Sequence, residues 1–245
     1  MDTGTESFRP RSIEAVSFDI NGTLIHSPRL GTIYSEVLSR HGLEVEADRL
    51  EAAVHLVWAE FDCAARPGAD RFSSDHGGAR DFWSRFADRV CMHLDLRRPS
   101  RFAKAELFER FSRAEAWEIF DDVFEVLNRL DEAGVRLAVL SNWDERLPKL
   151  LANLGLIGYF ETVVFSSQVG VEKPFPEIFL RLLDSLDLPP QAVLHVGDRA
   201  REDVEGAMGV GMQAVRICRD GQGAGMTELT ALPEKVIESK PTGRG

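Results

Sequence analysis

Hydrophobic and polar positions along this chain fall into two regimes. The run Ala15, Val16, Phe18 is short and mostly apolar, as a buried parallel strand requires, and it stops at Asp19. Asn21, Gly22 and Thr23 follow as turn formers. From about Leu30 to Phe120 the apolar residues recur at helical spacing instead. Ile33, Val37 and Leu38 mark a helix closed at His41-Gly42 by a glycine just past its end. Leu50, Val54, Val57 and Phe61 form one stripe of a helix over 48–65. Pro67, Gly68, Gly77 and Gly78 mark a loop over 66–78. Phe82, Trp83, Phe86, Val90 and Met92 lie on a helix over 79–94, and Ser100 is placed to N-cap a fourth, through 114.

After Phe120 the pattern changes to strand–helix alternation. Helices are predicted over 121–131, 147–154 and 177–186, with another starting over 203–208; strands are predicted over 135–140, 162–165, 192–196 and 212–217. Such alternation implies a parallel sheet with right-handed crossovers. One α/β domain is therefore interrupted, just after its first strand, by a helical insert. We expect a core of residues 1–27 and 118–245 and an insert of 28–117. Residues 1–11 read as polar and loosely held, and the Gly-rich tail after Arg219 as mobile at its end.

Composition narrows the function classes. The chain has 245 residues, 29 Lys and Arg against 40 Asp and Glu, and a net charge of -11. That balance argues against a nucleic-acid surface and means that an anionic substrate needs a local positive site. Cys63, Cys91 and Cys218 are far apart, which fits a reducing compartment without disulfides or a zinc cluster. There is no signal-peptide core at the N-terminus and no apolar run near the roughly 20 residues of a membrane span. The expectation is a cytoplasmic protein, monomeric or a small homo-oligomer, with no nucleic-acid or membrane partner.

Three predicted strands end in polar residues: at Asp19, at Ser141-Asn142 and at Asp198. In a parallel sheet such ends share one edge, where open α/β folds bind ligands. Lys173 precedes a helix that Pro174 or Pro176 can start, so it can share that edge. Asp19 and Asp198 can hold a hard cation such as Mg²⁺ through oxygen ligands. The cation and Lys173 would bind a phosphoryl group, and Ser141 with nearby N–H groups would complete an anion cradle.

Taken together, FDINGTL, the strand ending in Ser141, Lys173 followed by Pro174, and GDRARED resemble the four motifs of the haloacid dehalogenase superfamily, in order and spacing, across roughly 13–218. The insert resembles that superfamily's helical C1 cap, and the resemblance implies a Rossmann-like core. It further implies that Asp19 is a nucleophile forming an aspartyl-phosphate. Mg²⁺ would be bound by Asp19, the main-chain carbonyl of Asn21, Asp198 and, directly or through another group, Asp203. Ser141 and Lys173 match the phosphate-binding positions, and Asn142 is a candidate substrate contact or turn cap. The implied reaction is hydrolysis of a small phosphometabolite.

One position departs from the pattern. Phosphatases of this superfamily usually carry a second Asp, two residues after the nucleophile, as general acid and base. Here the residue is Asn21, whose amide has no proton titrating at neutral pH. Two other readings stay open at this point: a metal-free 2-haloacid dehalogenase, against which the paired acids argue, and a ligand-binding protein that turns over poorly. Arg80 and Trp83 are candidates to face the site, though an aromatic on a helix stripe is more often core. His26 reads as a loop residue near the crossing, His195 as packed in its strand, and His41, His55, His76 and His93 lack metal-ligand spacing.

Overall fold

The structure, a computed structural model, describes residues 12–63, 68–73 and 77–238. The expectations for 1–11, for Pro67 and His76 and for the chain's last residues lie outside these. The first strand, β1, spans Ala15–Phe18 and is buried throughout. A two-residue strand β2 (Ile25–His26) follows. Then come four helices: α1 (Leu30–Arg40), α2 (Ala47–Cys63), α3 (Gly78–His93) and α4 (Arg101–Arg110). A second two-residue strand, β3 (Glu118–Ile119), pairs antiparallel with β2, Ile25 opposite Ile119 and His26 opposite Glu118. The rest alternates: α5 (Val123–Glu132), β4 (Arg136–Ser141), α6 (Leu147–Asn153), β5 (Thr162–Phe165), α7 (Ser166–Val169), α8 (Pro176–Leu186), β6 (Val193–Gly197), α9 (Gly206–Gly209), β7 (Gln213–Arg216) and α10 (Leu232–Glu238).

The long strands form one parallel sheet in the order β5-β4-β1-β6-β7, with β1 at its centre. Alternation within a strand sends side chains to opposite faces. Val16, Phe18, Leu137 and Val139 pack under α5, α6 and α10, whereas Ala15, Ala138 and Leu140 pack against α8 and α9. Both faces are therefore covered, as a parallel sheet demands. Helices α1–α4 build an apolar cluster of their own around Val37, Leu50, Val57, Phe82, Phe86 and Leu107.

Local chemistry accounts for the helix ends. Ser100 Oγ accepts Ala103 N–H at 3.1 Å, the expected N-cap of α4. That helix stops at Arg110, short of the expected 114. Ser112 Oγ donates to Phe108 O at 2.9 Å and Trp117 Nε1 to Phe111 O at 3.1 Å, so side chains take carbonyls that further helix would have used. The helix expected over 203–208 opens instead as a π-turn over Ala200–Glu205. Within the described part of the tail, α10 buries Leu232 and Val236 against the sheet's outer layer. No helix among the described residues is long and apolar enough to cross a membrane.

Candidate active site

The carboxyl ends of β1, β4 and β6 meet at one edge of the sheet. Asp19, directly after β1, is buried, and its Oδ1 accepts from Ser141 Oγ at 2.9 Å and Lys173 Nζ at 2.8 Å. Its Oδ2 accepts no hydrogen bond among the described residues. Lys173 spends its remaining two donors on Asp203 Oδ1 at 2.6 Å and on Leu140 O at 2.9 Å. The ammonium thus makes three bonds, its full complement. Burial alone would pull its pKa down; Asp19 and Asp203 more than reverse this and hold it above the ordinary value.

Asp203 is the most encased of the three acids. Besides Lys173, its Oδ1 meets His195 Nε2 at 3.2 Å, and its Oδ2 accepts Arg199 N–H at 2.9 Å. Burial would raise its pKa, but Lys173 and His195 hold it well below the usual range. His195 is fully buried in β6 and its Nδ1 lies 2.9 Å from Ser17 Oγ on β1. A polar chain Ser17–His195–Asp203–Lys173–Asp19 therefore runs beneath the sheet edge. Sequence analysis placed His195 as a packed strand residue. It is packed, with Phe179 edge-on at 5.8 Å, but its hydrogen bonds also orient Asp203. Strand periodicity reports the face of such a residue and nothing about its partner.

Asp198 completes the acidic group. Carboxylate oxygens of Asp19, Asp198 and Asp203 lie within 4.8 Å of one another. Burial first, then the neighbouring Asp19 and Asp203, push Asp198 up to about 7. A cluster of hard oxygens so placed fits Mg²⁺, whose charge would offset the repulsion that raises Asp198. Asp203 already has donors on both oxygens, so Asp19 and Asp198 are the better direct ligands. Backbone packing sets the spacing: Gly22 has φ +80°, and a Cβ there would sit 2.6 Å from Asp198 Oδ2.

Asn21 is exposed and lines the cavity above Asp19, and its side chain makes no hydrogen bond among the described residues. Asn142 is engaged with the chain: its Nδ2 donates to Lys173 O at 3.0 Å and its Oδ1 accepts Lys173 N–H at 2.7 Å. It clamps the Lys173 peptide. Trp83 lines the cavity, donating from Nε1 to Asp144 Oδ2 at 2.8 Å, while Arg80 points away and pairs with Glu109.

The cavity, about 530 Å³, lies between the sheet edge and α1–α4. Its rim is stitched by ion pairs that sequence analysis missed. Arg71 grips Glu172 with Nε and Nη2, each at 2.8 Å, and reaches Asp62 Oδ1 at 2.8 Å. Arg199, beside Asp198, binds the other Asp62 oxygen at 2.8 Å. Arg146 is held by Asp144 and donates to Phe108 O at 2.8 Å. Arg71–Glu172, Arg199–Asp62 and Arg146–Phe108 join residues far apart in sequence, and only the position of Glu172 beside Lys173 hinted at any of them.

Known proteins resemble this chain in sequence and in fold. A glyceraldehyde 3-phosphate phosphatase of Methanopyrus kandleri is 40% identical over 84% of this chain and 84% of its own. The human haloacid dehalogenase-like hydrolase domain-containing protein 3 is 30% identical over 82% of this chain and 80% of its own. Among solved structures, a HAD phosphatase from Thermococcus onnurineus is 25% identical with a TM-score of 0.64, covering 91% of this chain and 98% of its own. The family model for haloacid dehalogenase-like hydrolases matches residues 13–211. This chain therefore belongs to the haloacid dehalogenase-like hydrolases.

Proposed function

We propose that this hydrolase is a Mg²⁺-dependent phosphomonoesterase working through an aspartyl-phosphate on Asp19, with residues 28–117 acting as its cap. The supporting observation is the state of Asp19. One oxygen is held by Ser141 and Lys173, the other accepts no hydrogen bond among the described residues, and Asp19 lines the cavity. That is the arrangement a carboxylate nucleophile needs: oriented, charged and open on one side. The phosphatase names carried by the archaeal relatives support the same reaction class.

In the first step Asp19 attacks phosphorus, the P–O bond to the alcohol breaks, and the alcohol oxygen leaves and takes up a proton. In the second, water attacks phosphorus, gives up a proton, and restores the Asp19 carboxylate as phosphate departs. Lys173 and Ser141 hold and orient the reacting carboxylate. When bound, Mg²⁺ would be held by Asp19, Asp198 and the Asn21 carbonyl, with Asp203 behind them, and would neutralise phosphoryl charge. Asn21 can orient the leaving oxygen or the water by hydrogen bonding but cannot carry its proton, so turnover is expected to be slow with poor leaving groups.

The test is phosphate release from a panel of phosphomonoesters with saturating Mg²⁺, with excess chelator, and with Asp19→Asn. We expect release only with metal and intact Asp19, and a phosphoryl mass increment on Asp19 after acid quench. Release from Asp19→Asn at the native rate would refute the covalent route. Chloride release from 2-chloropropionate in the presence of chelator would instead favour the dehalogenase reading.

A further inference from the structure

We propose that the cavity selects phosphate esters of alcohols bearing an aromatic ring with a polar substituent, the substituent being read by the Tyr34 hydroxyl. The proposal rests on the phosphomonoesterase reading above and names its substrate class.

The cavity is rich in aromatic side chains. Tyr34, Trp58, Trp83, Phe108, Phe111 and Trp117 all line it. Trp58 and Trp83 stack at 5.7 Å with planes 16° apart. Guanidiniums that also line the cavity lie over two of the rings: Arg71 is 5.3 Å from the Trp58 centroid and Arg146 3.8 Å from that of Phe108. Planar walls of this kind hold a planar guest by stacked or edge-on contact, beyond the area it buries.

Besides Lys173, four cations line the same cavity, and each is already paired. Arg71 and Arg199 share Asp62, Arg146 is held by Asp144, and Lys104 lies 2.6 Å from Asp88. None of these is left over for a sugar or triose hydroxyl. A polyol placed against the rings would lose water at its hydroxyls, which is costly where no partner replaces it. A three-carbon phosphate would also fill only a fraction of about 530 Å³, a volume in the range that encloses drug-sized ligands.

Tyr34 is an uncommitted polar group among the rings, as Ser27 Oγ and the Asn21 side chain are elsewhere on the lining. It is 4% exposed, lies on the cavity wall with its ring against Phe111 at 5.8 Å, and its hydroxyl makes no hydrogen bond among the described residues. The two cavity indoles beside it with fixed partners show the contrast: Trp83 Nε1 donates to Asp144 and Trp117 Nε1 to Phe111 O. A phenol buried at a cavity wall and without a protein partner is a group waiting for a polar atom of the ligand. A site built to hydrogen-bond its substrate in this way penalises the analogue that lacks the atom.

The experiment compares primary-alcohol esters, so that leaving-group chemistry stays constant: 2-(4-hydroxyphenyl)ethyl phosphate, 2-phenylethyl phosphate and glyceraldehyde 3-phosphate, with Mg²⁺ present. We expect kcat/KM for the hydroxyphenyl ester to exceed that for the triose by about 10-fold or more, within the range that pocket contacts supply. Tyr34→Phe should collapse the ratio between the two ring esters, with its thermal melt checked against native protein. Acetyl phosphate reports the chemistry apart from the pocket. Equal or better use of the triose by a protein that hydrolyses acetyl phosphate overturns the pocket proposal and leaves the phosphatase reading standing. If acetyl phosphate is not hydrolysed, that reading falls, and calorimetry with 3-phenylpropylphosphonate against propylphosphonate decides the pocket. About 10-fold tighter binding of the ring compound supports it, and equal binding overturns it.

Discussion

Lys173→Met isolates what the buried ammonium does. The substitution keeps an unbranched side chain of similar length and removes one positive charge from among Asp19, Asp203 and the nearby Asp198. Lys173 is 4% exposed and forms ion pairs of 2.8 Å and 2.6 Å with Asp19 and Asp203, so neither its charge nor theirs is screened by water. Removing one partner of such a pair typically costs about 3–5 kcal/mol, because the remaining charge stays buried. For a chain of this size that is a fall in Tm on the order of 6–20 °C, at about 2–4 °C per kcal/mol. The sign with pH follows from Asp203, whose pKa the native fold depresses. Its stabilising contribution is present above the unfolded carboxylate pKa, about 3.9, and is lost as pH falls through the lower folded value. Without Lys173 that contribution shrinks, so the gap between variant and native protein should be widest near neutral pH and should narrow below about pH 4, where the unfolded carboxylates protonate. Mg²⁺ should also close part of the gap, since binding at 100 times its dissociation constant adds about 2.7 kcal/mol to whichever form holds it better. The assay is urea unfolding of both proteins across pH, with and without MgCl₂. A loss under about 1 kcal/mol that is independent of pH and metal would place Lys173 outside the charge balance argued here.

Other consequences are as direct. Asn21→Asp supplies the missing titrating group on an exposed side chain, and steady-state hydrolysis of aryl phosphates should rise by about 10-fold or more, a modest share of what general acid–base catalysis gives; an unchanged rate would mean that the proton travels by another path. Burial pushes the Asp70 carboxyl up to about 6. The folded chain then holds that proton more tightly than the unfolded one, so this group removes stability as pH rises from about 4 to 6. Asp70→Asn should flatten that decline in thermal melts, and an unaltered pH profile would sink the assignment. The β2–β3 ribbon carries both crossings to α1–α4, so amide exchange at Ile25, His26, Glu118 and Ile119 should slow with Mg²⁺ and a phosphate mimic bound; identical exchange in free and bound protein would leave the crossing without a hinge role.

Much of this molecule was legible in its sequence because the signals were local. Each strand of the parallel sheet is a short apolar run, and the acids and hydroxyl at the strand ends are visible at once. Burial on both faces writes the inner runs β1, β4 and β6, and strand-end geometry brings Asp19, Ser141 and Asp198 together. The β2–β3 ribbon escaped because two residues per strand are too few to show a period. Helix α10 escaped because the glycines before it dominate the composition, although Leu229, Leu232 and Val236 keep helical spacing. The cavity was beyond reach for another reason. Arg71 and Glu172 are 101 positions apart and Arg199 and Asp62 137, and such pairs exist only once the insert folds back over the sheet. Tyr34 reads in sequence as one more apolar helix position, and only the surroundings of its hydroxyl set it apart.

Gly22 and Asn21 are neighbours with opposite latitude. At 22 any side chain would collide with the Asp198 carboxyl, so the turn after β1 and the turn after β6 have to change together or stay as they are. At 21 the side chain stands in the open, without a hydrogen bond among the described residues. Mutation is thus barred at one residue and permitted at the next. A lineage built on this scaffold can trade a proton-carrying group for an inert one, and back again, in a single substitution without disturbing the acids beneath. Divergence of chemistry among such proteins would then be expected to concentrate at this one position, while the scaffold around it drifts slowly.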